Sequence, residues 1–152
     1  MPVMDTRNKT VVGGLRVGQP NVSDATVAGG LKVARAKYSF AADAGAQGAI
    51  NLGVTIPSGA VILFGYLDVQ TSPTAGGAAT IAISVEGAND IVTAASVAGA
   101  PWSTTGRKSI IPVATGATSV KTTQARAVTA TVASFDLTAG IFEVVLYYSE
   151  TA

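Results

Sequence analysis

Acid–base or nucleophilic chemistry needs a reactive side chain with a base beside it, and this sequence supplies few of either. Histidine and cysteine are both absent. The usual general base, the commonest transition-metal ligand and the thiolate nucleophile are therefore missing together. A Ser–Lys pair is the remaining nucleophilic arrangement, and Lys108-Ser109 is adjacent. Neighbours on a strand point to opposite faces, however, so adjacency there gives no contact. Two carboxylates about 5–10 Å apart could hydrolyse a glycoside. Asp68, Glu86 and Asp90 form the candidate set, provided that their strands are neighbours. Solvated faces and turns account for all three more simply. Calcium asks for several closely spaced oxygen ligands, and Asn89-Asp90 and the solitary Asp43 are too few. No glycine pair is followed by the Lys-Ser/Thr of a phosphate loop. The expectation is a protein without catalytic residues, metal or cofactor.

Aromatic rings could still stack on sugars or bases. Tyr147 lies opposite the core phase of the last strand, and Trp102 is the one tryptophan. Trp102 reads either as a lid on a small core or as the platform of a carbohydrate- or receptor-binding module. Arg35, Lys37 and Tyr38 are the nearest approach to the interleaved basic and aromatic residues of a nucleic-acid site. A net charge of +1 gives no bulk attraction to nucleic acid or to an anionic membrane, so neither is an expected partner.

The elements that would carry these residues are strands. In 47–70, QGAINLGVTIPSGAVILFGYLDVQ, the residues Ile50, Leu52, Val54 and Ile56 alternate until Pro57-Ser58-Gly59 breaks the run. Val61, Leu63, Leu67 and Val69 then follow on one phase, with Ile62, Phe64 and Tyr66 on the other. This pattern predicts a hairpin of two strands with a tight connection. Before it, Ala34, Ala36, Tyr38 and Phe40 share one face, and Val33, Arg35 and Lys37 the other. After it, TSPTAGG at 71–77 reads as a turn, and Ile81, Ile83 and Val85 alternate with small or polar residues. Asn89-Asp90 is compatible with a capped helical turn through Ala95, and IVTAASV equally with a strand. Weaker strands are expected at 109–114 and 118–123, and a further strand at 126–134. DLTAG at 136–140 reads as a turn before the last strand, 141–149, where Phe142, Val144, Leu146 and Tyr148 share a face.

About eight strands at short intervals, with no helix long enough for a parallel crossover, predict an all-β antiparallel sandwich or jelly roll. Residues 1–30 read as an extended N-terminal arm and 31–152 as the β-sandwich domain. Six of the ten basic residues, Arg7, Lys9, Arg16, Lys32, Arg35 and Lys37, lie within 1–37, opposed only by Asp5 and Asp24. GGLRV at 13–17 is echoed by GGLKV at 29–33, too few copies for a repeat architecture. Charged residues make up 12% of the chain, about half the usual share, which suits a surface covered by further copies or by a partner. No apolar stretch approaches the length of a membrane span. The N-terminus has charges where a signal peptide needs its apolar segment, so the chain is expected to stay in the cytosol unless it leaves within an assembly.

The run IPSGAVILFGYLDVQTSPTAGGAATIAISVEGANDIVTAASV, then SIIPVATGATSVKTT and the closing LTAGIFEVVLYY, resembles small virion proteins of tailed bacteriophages. The likeness covers about residues 50–148. It implies a capsid decoration (cement) protein on the outer capsid surface, bound to the major capsid protein and commonly trimeric. Head-fibre or tail components are the alternative within that class. Under this reading Arg7, Lys9, Arg16, Lys32 and Arg35 are the residues expected to meet the capsid. The other role open to the arm is to swap between protomers and build the oligomer.

Overall fold

The computed structural model describes residues 30–113 and 119–150. The expected arm, save Gly30, lies outside the described residues, and Arg7, Lys9 and Arg16 lie outside with it.

Eight strands form from the alternating segments: β1 (Lys32–Ser39), β2 (Gly48–Ile56), β3 (Ala60–Ala75), β4 (Thr80–Ser84), β5 (Val92–Ser96), β6 (Gly106–Ile110), β7 (Arg126–Ala133) and β8 (Leu137–Glu150). A single helical turn, α1 (Phe40–Asp43), follows β1, so Phe40 leaves the strand face on which it was expected. Sheet I has the order β1-β8-β3-β6 and sheet II the order β2-β7-β4-β5, antiparallel throughout. The pairs β1·β8, β2·β7, β3·β6 and β4·β5 trace one long ribbon folded over on itself, which is the jelly-roll arrangement.

One apolar core lies between the sheets. Ala34, Ala36, Tyr38, Leu67, Val69, Phe142, Val144 and Leu146 enter it from sheet I, and Leu52, Ile56, Ile81, Ile83, Val128, Ala130 and Val132 from sheet II. Each large side chain buried in this way contributes about 1.5–3 kcal/mol. Phe142 is at its centre, with Tyr38 stacked on it at 4.7 Å and Trp102 tilted against it at 5.0 Å. The Tyr38 hydroxyl donates to the Ala44 carbonyl at 2.9 Å, and burial, then the nearby Asp43 carboxylate, pushes its pKa up to about 12.

The expected hairpin is corrected. β2 pairs with β7 and β3 with β8 and β6, so Pro57-Ser58-Gly59 carries the chain from sheet II to sheet I. Alternation in two consecutive strands is the same whether they pair or face each other across a core, which is why the pattern alone misled. The crossover is held by Thr122, a buried polar side chain. Its hydroxyl donates to the Pro57 carbonyl at 2.6 Å and accepts from the Ala60 amide at 2.9 Å. The backbone adds Gly59 N–H to Thr122 C=O at 2.8 Å and Thr122 N–H to Ala60 C=O at 2.9 Å.

The two expected turns at 71–77 and 136–140 are largely strand. β3 runs through to Ala75 and β8 starts at Leu137, with register shifts where Thr71, Thr74 and Ala75 meet Ile141, Ala139 and Leu137. Pro73 and Gly140 explain the turn-like composition: a Cβ on Gly140 would come within 3.0 Å of Pro73, so the glycine admits the proline at an irregular stretch of the ladder. Residues 92–96 are strand rather than helix. Asp90 instead closes the preceding turn, accepting the amides of Val85, Glu86 and Gly87 at 2.8–2.9 Å. The strand expected at 109–114 sits earlier, at 106–110, and of 118–123 only an isolated bridge, Lys121 to Val61, is formed among the described residues.

Candidate interaction surface

The residues singled out for chemistry are kept apart or already engaged. Asp68 is on β3 in sheet I, whereas Glu86 follows β4 in sheet II, so their strands are not neighbours. Glu86 is gripped from two sides. Arg126 donates to it through Nε at 2.9 Å and Nη2 at 3.0 Å, and Thr123 through its hydroxyl at 2.7 Å and its amide at 3.1 Å. The Arg126 hydrogen bonds, then those of Thr123, hold the Glu86 carboxyl down to about 2, so it is an ion at neutral pH and no general acid. Asp90 is occupied by backbone amides. Lys108 Nζ donates to the carbonyls of Thr104 and Gly106, and the pairing Leu67–Lys108 and Tyr66–Ser109 sets Lys108 and Ser109 on opposite faces.

Trp102 is fully buried against Phe142, and its indole N–H has no protein acceptor among the described residues. It presents no face to a ligand, so the platform reading is corrected: Trp102 is part of the core. An open cleft of about 360 Å³ runs between Ser72–Ala75 and Val97–Ala98, and no charged side chain lines it. No group of three or more metal-ligating side chains occurs among the described residues.

What remains is the outer face of sheet I. Strand register lays its side chains in rows across the strands. One row is Lys37–Glu143–Asp68–Arg107, the next Arg35–Val145–Tyr66–Ser109, and the next Val33–Tyr147–Phe64. In the first two rows both carboxylates are matched locally, and Lys37 is left as the excess cation. Arg35 donates to Glu143 at 3.2 Å and to the Tyr66 hydroxyl at 3.3 Å, Arg107 reaches Asp68 at 4.0 Å, and its guanidinium lies 5.2 Å from the centre of the Tyr66 ring. Val145 is wholly buried in this row although it points away from the core. Lys32, on the other face of β1, pairs with Glu150, and that hydrogen bond raises its pKa above the ordinary amine value. Of the five cations expected to meet a capsid, the two within the described residues thus already hold carboxylates of their own sheet.

The third row is different. Phe64 and Tyr147 stack at 4.9 Å with planes 19° apart, and Phe64 is 47% exposed. Leu63 beside it is equally exposed because the register shifts between Ile62 and Phe64. This bulge switches the buried parity of β3 from Ala60 and Ile62 to Leu67 and Val69, and it explains why the sequence shows two apolar phases. The mixed phase was the only sequence signal for this row.

No protein-family model matches the chain, and neither does any curated protein. Solved structures do. A chain in the acidic stable capsid structure of Helicobacter pylori bacteriophage KHP30 matches with a TM-score of 0.56 at 18% identity, covering 80% of this chain and 89% of that one. A chain of the cyanophage Pam1 capsid asymmetric unit matches at 0.57 and 21% identity, covering 82% and 88%. A chain in the capsid of Ralstonia phage GP4 matches at 0.58 and 19%, covering 80% and 85%. At these identities the likeness is one of fold, and by fold this sandwich is similar to chains found in the capsids of three bacteriophages.

Proposed function

We propose that this chain is a non-enzymatic structural protein of a phage virion, and that it binds the assembled shell from outside as a decoration protein. The observation that carries the reading is the fold likeness to three capsid chains, which extends over four-fifths of this chain and most of each of theirs. The engaged carboxylates and the uncharged cleft support a surface that grips rather than reacts. In this reading residues 1–30 are an arm that docks on the shell and 31–152 are the β-sandwich domain. Arg7, Lys9, Arg16, Lys32 and Arg35 meet acidic surface of the major capsid protein, and the chain works as a homotrimer. Many modest contacts repeated over a lattice give firm attachment without any single strong site, and binding only the assembled shell stabilises it by mass action.

Cosedimentation of the purified full chain with particles that lack it tests the proposal. Binding is expected to saturate at a fixed number of copies per capsid, with antibody label on the outside of the head. Label confined to tails, or uptake that never saturates, would overturn it. Deleting residues 1–30 is expected to lower occupancy, and unchanged occupancy would remove the arm from the contact.

A further inference from the structure

The apolar row of sheet I continues beyond Phe64. Ile111 follows directly on the Gly65–Ile110 pair at the same end of the sheet, and it is 81% exposed. On β1, Val33 opens the row and Leu31 lies just before the strand, both about half exposed. Leu31, Val33, Tyr147, Leu63, Phe64 and Ile111 therefore form one exposed band across all four strands. A soluble monomer rarely exposes so continuous a band, and here a bulge adds Leu63 to it.

We infer that this band is where one copy of the chain meets another: a band that packs on its own copy joins two chains about a two-fold axis, a contact beyond the homotrimer of the proposed reading. Two observations favour a second copy over another partner. The first is area. With large side chains offering roughly 150–250 Å² each, the exposed fractions leave about 500 Å² of apolar surface per copy. Two copies together then bury about 1,000 Å², the lower bound for a specific interface before any polar rim is counted. The second is charge. On the two neighbouring rows Arg35 holds Glu143 and Arg107 lies 4.0 Å from Asp68, so that with Lys37 three cations meet two carboxylates and the rows carry a net charge of only +1, too little to set one copy strongly against another. The stacked rings are held in place beforehand: a Cβ on Gly65 would lie 2.2 Å from the Val145 carbonyl, so β3 sits tightly on β8 beneath them.

Sedimentation equilibrium of the full chain, without particles, tests this. The wild type is expected to associate below about 100 μM. Phe64→Glu is expected to weaken association roughly 30-fold or more, as loss of a central aromatic anchor does. Thr131→Lys, on the outer face of sheet II, is expected to leave it unchanged. As the chain has no cysteine, Val33→Cys gives a second readout that needs no disruptive change. Its maleimide labelling should slow as concentration rises through the association range, and that of Thr131→Cys should not. A wild type that stays monomeric overturns the inference. So does a natively folded Phe64→Glu that associates like the wild type, or a Val33→Cys thiol with no protection; if Phe64→Glu misfolds, the thiol decides. A monomer that still saturates particles would overturn this contact and leave the proposed function standing, whereas an oligomer that ignores particles would do the reverse.

Discussion

The two outer faces of this sandwich are built by the same alternation and share almost no chemistry. On sheet II, register puts Ala49 beside Thr131, Asn51 beside Thr129 and Thr55 beside Ala127, then Ala82 and Ser84 beside Thr131 and Thr129. No charged residue lies in these rows. The described ion pair of this sheet, Glu86–Arg126, is displaced to its end, where β4 has finished and β7 begins. On sheet I the rows carry three cations with two carboxylates between them, and then a stacked aromatic pair. The inward faces of both sheets, by contrast, are much alike, made of Ile, Val, Leu and Ala with aromatic rings at one place. Inward positions answer to packing, which accepts any apolar residue of suitable volume. Outward positions are free to answer to a partner, and only sheet I departs from a bland surface.

The sharpest way to break this comparison is through the core that both faces share. Phe142→Ala removes the ring on which Tyr38 and Trp102 both rest, and is expected to cost about 3–5 kcal/mol in urea unfolding. Both faces should melt together, since each is only the back of one core. If the sheet I aromatics alone lost order, the two sheets would not be one cooperative unit.

A smaller effect separates the faces by their glycines. Gly65→Ala drives a methyl into the Val145 carbonyl at 2.2 Å, so β3 must shift from β8, at an expected cost of about 1–3 kcal/mol. Gly53→Ala on sheet II meets no atom within 4 Å, but its φ of +75° is strained for alanine, at about 1 kcal/mol. Thermal melts of the two variants should rank in that order. Equal losses would mean that the tight approach under the Phe64–Tyr147 pair is not what fixes the sheet I surface.

The smallest effect is confined to acid. Glu86 titrates at about 2 in the fold against an ordinary 4.5, so its ionised form is stabilised on folding. That contribution is complete above pH 4.5 and is lost as pH falls towards 2. The stability gap between wild type and Glu86→Gln should therefore be constant at neutral pH and close across this window. Arg35→Gln on sheet I, exposed and screened, should show a smaller gap at neutral pH. A gap that widened in acid would contradict the Arg126 pairing.

Much of the fold is legible in the residues. Period-two alternation in Ala34–Tyr38, Ile81–Val85 and Phe142–Leu146 places the same side chains inside that the structure buries. The absence of histidine and cysteine removes most catalytic chemistry before any geometry is known. Alternation is a property of a strand and its two surroundings, so a local stretch contains it entirely. Which strands pair is not local. β2 and β7 are brought together from opposite ends of the domain, and nothing in 48–56 distinguishes β7 from β3 as a partner. Trp102 is buried by a Phe142 that lies forty residues away. The bulge at Leu63 turns a second apolar phase outward because β3 must stay on β8 across a register shift. The sequence determined that this chain is an all-β sandwich and that it has neither histidine nor cysteine to work with. Only the tertiary structure decided which side chains that sandwich leaves facing outward together.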